Sequence, residues 1–362
     1  MEPVTVYRQD RIRAKLERDL RQGRLAPSLI FYGLSGLGKE RMAFHLAQSI
    51  LCREAKAAAC GECLSCRKVV KLLHPDVQWL FPRPGTSEDE EMEGILERMS
   101  KEDFYRPAFG KATSHPIDAI RQLRTVSGKH PYEGDAKVFI VAEGDRMTVE
   151  AANAFLKLLE EPPDDTYIVI TTSRLHALLP TIRSRCEEIR FSPLPLEILR
   201  DVLVREIGLP AERADELSRS SEGSLGKAIQ FHRSGVDGWG DAWQLFELAV
   251  RGEESDRYAY VVENPMKNDR ERIQMALETL TGLLRDLVVV SLDIGKREVI
   301  HLHRYEQLGA YRELPVEGLV GSIRLIEEQT RLLDRNINSS ILLWRLLHGL
   351  TETLSVSMES ER

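Results

Sequence analysis

The sequence predicts an α/β domain with a parallel sheet of the phosphate-loop type, followed by a remainder that is nearly all helix. Three observations carry this. Apolar runs of strand length alternate with helical patterns as far as Leu194, which implies a parallel sheet covered on both faces. One of these runs, Leu29 to Tyr32, passes directly into a glycine-rich turn and then a helical pattern from Arg41 to Leu51. Beyond Leu196 leucines recur at three- and four-residue steps, the signature of a helical bundle.

The first turn, LIFYGLSGLGKE, spaces Gly33, Gly38 and Lys39 as in G-x-x-x-x-G-K-[S/T], with Gly36 inside the loop. Glycines in that pattern let backbone N–H groups curl round phosphates, and the lysine neutralises them. The hydroxyl that would hold Mg²⁺ is replaced by Glu40, whose carboxylate repels a triphosphate. A glycine-rich turn between strand and helix need bind nothing, so the loop alone points to fold ancestry rather than to activity.

Next come four cysteines in fifteen residues, Cys52, Cys60, Cys63 and Cys66, with Cys186 far away. Two overlapping C-x-x-C steps and one upstream thiol can close a tetrahedral site around Zn²⁺, with Gly61 and Glu62 as the knuckle turn. The set contains no His and no open position, so a structural role is expected. A disulfide pair, disfavoured in a reducing cytosol, and a thioredoxin-like redox pair, which would not need four sulfurs, are the alternatives.

Further strands are expected at Val77 to Phe81, Val138 to Val141, Tyr167 to Thr172 and Glu188 to Phe191. Between the second and third, Pro82 to Thr113 carries the acidic run Glu88, Asp89, Glu90, Glu91, Glu93 and reads as an exposed, mobile excursion. At the carboxyl end of Val138 to Val141, where a metal-holding Asp and a catalytic Glu would sit, the chain has Ala142 and Glu143. A methyl group cannot orient Mg²⁺ or its waters, so two metal-supporting positions are lost together. Pro193 and Pro195 close this part, and two or three short helices follow to Gln230, with EGSLGKAIQ reading as a turn entering a helix. Long amphipathic stretches at Arg270 to Leu292, Val316 to Leu333 and Ile337 to Leu354 complete the chain.

The block from Asp118 to Arg190, with LLPTIR leading into SRC at Ser184 to Cys186, closely resembles the bacterial clamp-loader AAA+ family, as do the phosphate loop, the cysteine module and HPDV at His74 to Val77. The resemblance implies an AAA+ domain with a zinc knuckle over residues 1–194, a helical lid over 195–236 and a helical collar for oligomerisation over 237–362. It implies a subunit of the bacterial DNA polymerase III clamp loader, which places the sliding clamp on primer-template DNA. The implied partners are ATPase subunits and a delta-type subunit, the clamp, and DNA through the complex. Arg185 would then act in trans, as an arginine finger in a neighbour's ATP site. The alternative for Arg185 is a surface pair with Glu187 or Glu188. Relatives that hydrolyse ATP carry Ser or Thr where this chain has Glu40, an acidic residue at Ala142, and an Arg at Gly226. Gly33, Gly36, Gly38 and Lys39 are accordingly expected to form a vestigial loop with weak nucleotide binding at most, leaving structural zinc as the cofactor and no activity for the chain alone. Without those parts, Thr172 is read as a packing or hydrogen-bonding residue rather than a nucleotide sensor.

Composition bounds the alternatives. With 362 residues, 42% hydrophobic and 30% charged, the chain is long enough for two or three cored domains. No apolar run approaches the ~20 residues that span a bilayer, and MEPVTVYRQDRIRAKL lacks the apolar core of a signal peptide, so a cytoplasmic protein without membrane contact is expected. A net charge of -7 (50 basic against 57 acidic side chains) gives no global pull on nucleic acid. Two rivals follow: an autonomous ATPase motor subunit, supported by Gly38, Lys39 and Glu143, and a nucleic-acid-binding zinc protein, for which Arg53, Lys56, Arg67 and Lys68 are a thin basic complement.

Overall fold

The computed structural model describes residues 6–55, 57–84, 94–95, 97–98, 113–234, 238–263, 266, 269–333 and 337–359. The acidic run expected to form an excursion lies outside the described residues. The described residues form two compact units. One takes in the chain up to Pro195 together with Gly223–Lys227, and the other takes in Leu196–Glu222 and the chain from Ala228 onward.

The first unit is a five-stranded parallel sheet with helices on both faces. Its elements in chain order are α1 (Asp10–Arg21), β1 (Ser28–Tyr32), α2 (Lys39–Leu51), α3 (Leu64–Val70), β2 (Val77–Leu80), α4 (Ile117–Ser127), β3 (Lys137–Val141), α5 (Val149–Glu160), β4 (Thr166–Thr172), α6 (Pro180–Arg183) and β5 (Glu187–Arg190). The strands lie in the order β2-β3-β4-β1-β5. Register runs Ile30 opposite Ile170 and Glu188, and Ile140 opposite Val169 and Trp79. Side chains alternate across a strand, and both faces here are apolar. Leu29, Phe31, Val138 and Ile140 join Met42, Leu46 and Leu16 on one side, while Ile30, Phe139 and Val141 join Ile120, Leu123 and Phe155 on the other. That two-sided burial is why these strands read as continuous apolar runs rather than alternating ones.

Strand order decides where chemistry collects. β1 sits between β4 and β5, so the turn after β1 lies among the carboxyl ends of its neighbours, the usual place for a ligand in an open parallel sheet.

The second unit is helical: α7 (Leu196–Arg205), α8 (Ala211–Ser220), most of α9 (Leu225–Ser234), α10 (Trp239–Val250), α11 (Glu254–Glu263), α12 (Arg270–Ser291), α13 (Tyr305–Gly309), α14 (Val316–Leu333) and α15 (Ser339–Glu359). Its core joins Leu245, Leu277, Leu280, Leu284 and Leu287 to Leu319, Leu343 and Leu346, all at most 0% exposed. Asp269 caps α12 by accepting the Arg272 amide at 3.0 Å, and the Arg272 guanidinium grips Asp241 through Nε and Nη2 at 2.7 and 2.8 Å. Among the described residues no helix is long and apolar enough to cross a membrane.

Candidate functional site

The turn after β1 is shaped by backbone that approaches too closely for side chains. A Cβ on Gly33 would meet the Phe191 carbonyl oxygen at 2.4 Å, and one on Gly36, whose φ is +75°, would meet Ser224 Oγ at 2.3 Å and the Lys227 nitrogen at 2.9 Å. The residues facing Gly36 belong to the turn that enters α9, and two hydrogen bonds hold them there. Ser224 Oγ donates to the Ser35 carbonyl at 2.8 Å and the Gly226 amide donates to the Gly36 carbonyl at 2.9 Å. Gly226 sits so near that a Cβ on it would be 2.7 Å from the Gly36 Cα. Lys39, at the start of α2, is buried, and its Nζ donates to the carbonyls of Gly33 and Leu34 at 2.7 and 2.6 Å. Gly33, Gly36, Gly38 and Lys39 thus lie in one loop whose inner contacts are made with the protein itself.

Around the loop the sheet ends carry a second polar group. Ala142 is buried at the end of β3, and Glu143 beyond it takes a left-handed conformation (φ 49°) with Oε2 3.3 Å from Arg146 Nε. The Glu143 amide donates to Thr171 Oγ1 at 3.2 Å. Thr172 Oγ1 donates to Asp145 at 2.6 Å and accepts the Arg174 amide at 3.0 Å, while Arg174 Nε meets the other Asp145 oxygen at 2.8 Å. Asp145 carries no spacing signal in the sequence, and only the adjacency of β3 and β4 brings it to Thr172 and Arg174.

The thiols of Cys52, Cys60, Cys63 and Cys66 all lie within 4.8 Å of one another, so the cluster could hold a metal ion. A tetrahedron of thiolates about 2.3 Å from Zn²⁺ has edges of about 3.8 Å, and the Cys60 and Cys66 sulfurs stand 3.9 Å apart. Backbone amides already point at the sulfurs. Ala55 donates to Cys52, Cys63 to Cys60 and Cys66 to Cys63 at 3.3–3.4 Å. Burial raises the Cys63 thiol, but amide donation from Cys66 and Arg53 outweighs it and brings Cys63 down to about 7. Cys66, the most buried, is pushed the other way by desolvation. Cys186 lies outside the cluster, and burial with the nearby Glu188 charge pushes it up to about 12, which suits an inert thiol.

HPDV ties this module to the sheet. His74 Nε2 lies 3.0 Å from Ser65 Oγ in α3, and its Nδ1 accepts the Asp76 amide at 3.2 Å. The Asp76 carboxylate accepts the amides of Tyr132, Glu133 and Gly134 at 2.5, 2.8 and 2.8 Å, and its carbonyl accepts Val138 at the start of β3 at 2.8 Å. Burial raises the Asp76 carboxyl, yet these three amides hold it below the ordinary carboxylate value. Both partners, HPDV and PYEGD, are visible in the sequence; their contact is not.

Arg185 follows α6 in a short turn before β5. Its partner is neither Glu187 nor Glu188. Lys15 takes Glu187 at 2.6 Å and Arg183 takes Glu188 at 2.9 Å, leaving Arg185 Nη2 on Glu160 Oε1 at 2.9 Å and Nη1 on the Thr181 carbonyl at 2.9 Å. A surface pair does form, but with Glu160 in place of Glu187 or Glu188, because those two are taken by Lys15 and Arg183 while Arg185 turns back to the end of α5.

A family model described as DNA polymerase III, delta subunit, matches residues 8–195. The chain is 24% identical over 350 residues to the DNA polymerase III subunit delta' of Bacillus subtilis (strain 168), covering 95% of this chain and 96% of that one. It is 35% identical over 217 residues to the DNA polymerase III subunit delta' of Pseudomonas aeruginosa, covering 58% of this chain and 57% of the relative. A crystal structure of a DNA polymerase III gamma subunit-related protein from Thermotoga maritima superposes with a TM-score of 0.40 at 19% identity, covering 94% of this chain and 98% of that one.

Proposed function

The chain belongs to the DNA polymerase III delta-subunit family, among the clamp-loader delta' subunits, and from that premise we propose that it works as a subunit that does not turn over ATP but acts on a neighbour that does. The observation that carries the reading is Ala142, buried at the end of β3 where a metal-holding carboxylate would stand, together with Glu40 directly after Lys39. Ser224 and Gly226 hydrogen-bond to the carbonyls of Ser35 and Gly36, and Lys39 donates into the loop's own backbone. These bonds occupy loop carbonyls rather than the N–H groups that take a phosphate, and a phosphate held there meets no metal-supporting hydroxyl at Glu40 and no carboxylate at Ala142.

In this reading Arg185 is delivered in trans to the neighbour's γ-phosphate, where a planar guanidinium stabilises charge on the transferring group. Cys52, Cys60, Cys63 and Cys66 hold one structural Zn²⁺, which would supply only a cross-link within the module. Residues 1–194 form the AAA+ domain, 195–236 the lid and 237–362 the collar through which ATPase and delta-type subunits assemble. The sliding clamp and primer-template DNA are met through that cytoplasmic assembly.

The test is steady-state phosphate release by the isolated chain with Mg²⁺ and ATP. No turnover above background is expected. A rate above about 1 s⁻¹, ordinary for an ATP-using enzyme, would return the chain to the class of autonomous motor subunits.

A further inference from the structure

We infer that Glu160 is a positioning residue for Arg185: a built-in counter-ion that biases the guanidinium toward its own chain and gives way when an outside anion replaces the carboxylate. The inference deepens the trans role proposed above and rests on it for its purpose, though not for its geometry.

Glu160 is the last residue of α5, and Arg185 lies 25 residues further on, in the turn between α6 and β5. The two terminal nitrogens of Arg185 are both engaged, Nη2 by Glu160 Oε1 at 2.9 Å and Nη1 by the Thr181 carbonyl at 2.9 Å, with Ser184 Oγ at 3.5 Å from Nη1. A guanidinium offers paired N–H donors to two acceptor oxygens, and that is the grip by which it holds a phosphate. Here one of the two acceptors is a carbonyl and the other a carboxylate. The carbonyl belongs to the backbone of α6 and leaves with difficulty. The carboxylate ends a flexible side chain and is itself an anion, so it is the acceptor that an incoming phosphate displaces.

The strength of the hold suits release. Both side chains are partly open to solvent, 34% for Arg185 and 49% for Glu160. Exposed pairs favour the closed arrangement by no more than about fivefold. Such a pair does not lock the arginine. It biases the guanidinium toward one orientation, and yields once a more highly charged anion arrives. Glu161, the next residue, makes no such contact with Arg185 in the structure and serves as a matched control.

The experiment follows phenylglyoxal addition at Arg185 by peptide mass spectrometry in the isolated full-length chain, comparing wild type, Glu160→Gln and Glu161→Gln. Loss of the counter-ion should speed labelling of Arg185 about two- to fivefold in Glu160→Gln and leave it unchanged in Glu161→Gln. Equal labelling in wild type and Glu160→Gln, or equal acceleration in both variants, would overturn the assignment. A second arm measures DNA-stimulated hydrolysis in complexes reconstituted with the ATPase subunits. Glu160→Gln should shift the ATP concentration at half-maximal rate, and Arg185→Ala should lower the maximal rate. Wild-type hydrolysis with Arg185→Ala would remove the trans role while leaving the labelling result, and hence the Glu160 contact, standing.

Discussion

Gly226 is where the start of α9 comes up against the phosphate loop. It lies in the first turn of α9, where replacing glycine by alanine ordinarily stabilises by about 1 kcal/mol. Here the new Cβ would stand 2.7 Å from the Gly36 Cα and 3.1 Å from its carbonyl oxygen. Those are backbone atoms, and they cannot swing aside as a side-chain tip does. Gly226→Ala is therefore expected to destabilise by about 1–3 kcal/mol in urea unfolding, and a gain in stability would show that the two segments are not held together. His115 offers a second test. It is buried beside Ala142 and donates from Nε2 to the Ala142 carbonyl at 2.8 Å, and burial holds its pKa below the ordinary histidine value. The unfolded chain therefore binds a proton more readily than the folded one, so the contribution of His115 is complete above about pH 6.5 and declines below it. Replacing it with Asn should flatten the fall in stability between pH 6.5 and 5 by up to about 1.4 kcal/mol per pH unit. Superimposable pH profiles would rule this out.

At the scale of elements, the cysteine module is fastened to the sheet at both ends of the HPDV turn. Asp76→Ala would leave three amides of the 132–134 turn without their acceptor, and a loss of about 2–4 kcal/mol is expected, with Asp76→Asn intermediate because an amide oxygen still accepts. Since the carboxyl is held below its ordinary value, this stabilisation is present above about pH 4 and disappears as the pH falls through the folded value. An Asp76→Ala variant as stable as wild type at pH 7 would show that these bonds count for little. Lys137 does similar work from β3: its buried ammonium donates to the carbonyls of Val126, Ser127 and Lys129, closing the carboxyl end of α4. The module itself should hold one zinc per chain. Cys63→Ser should bind less metal and lower Tm by about 5 °C or more, given about 2–4 °C per kcal/mol for a domain of this size. A fully loaded Cys63→Ser protein of unchanged Tm would exclude four-thiolate ligation.

At the scale of the whole molecule, the first unit offers Arg185 at its surface. Arg185→Ala should leave unfolding of the isolated chain within about 0.5 kcal/mol of wild type, because an exposed ion pair contributes little. ATP hydrolysis by the reconstituted complex should nevertheless fall, by an amount diluted if other subunits hold independent fingers. Arg185→Lys should rescue poorly, since an ammonium keeps the charge and loses the two-point geometry. Unchanged complex turnover with Arg185→Ala would reduce this arginine to the partner of Glu160 and nothing more.

The sequence by itself determined the parallel sheet, its five strands to within a residue or two, the glycine turn, the clustering of four thiols and the helical remainder. Each is written in short-range spacing: apolar runs for strands buried on both faces, three- and four-residue steps for helices, C-x-x-C for a knuckle. Only the tertiary structure decided who partners whom. Ser224 meets Ser35 across 189 residues, Tyr132 meets Asp76 across 56, and Arg185 meets Glu160 rather than the glutamates two and three positions away. No periodicity encodes such pairs. The Asp76 and Arg185 pairs arise because β2 pairs with β3 and β1 inserts between β4 and β5, which brings distant turns to common sheet ends, whereas Ser224 reaches Ser35 because the start of α9 docks on the loop after β1.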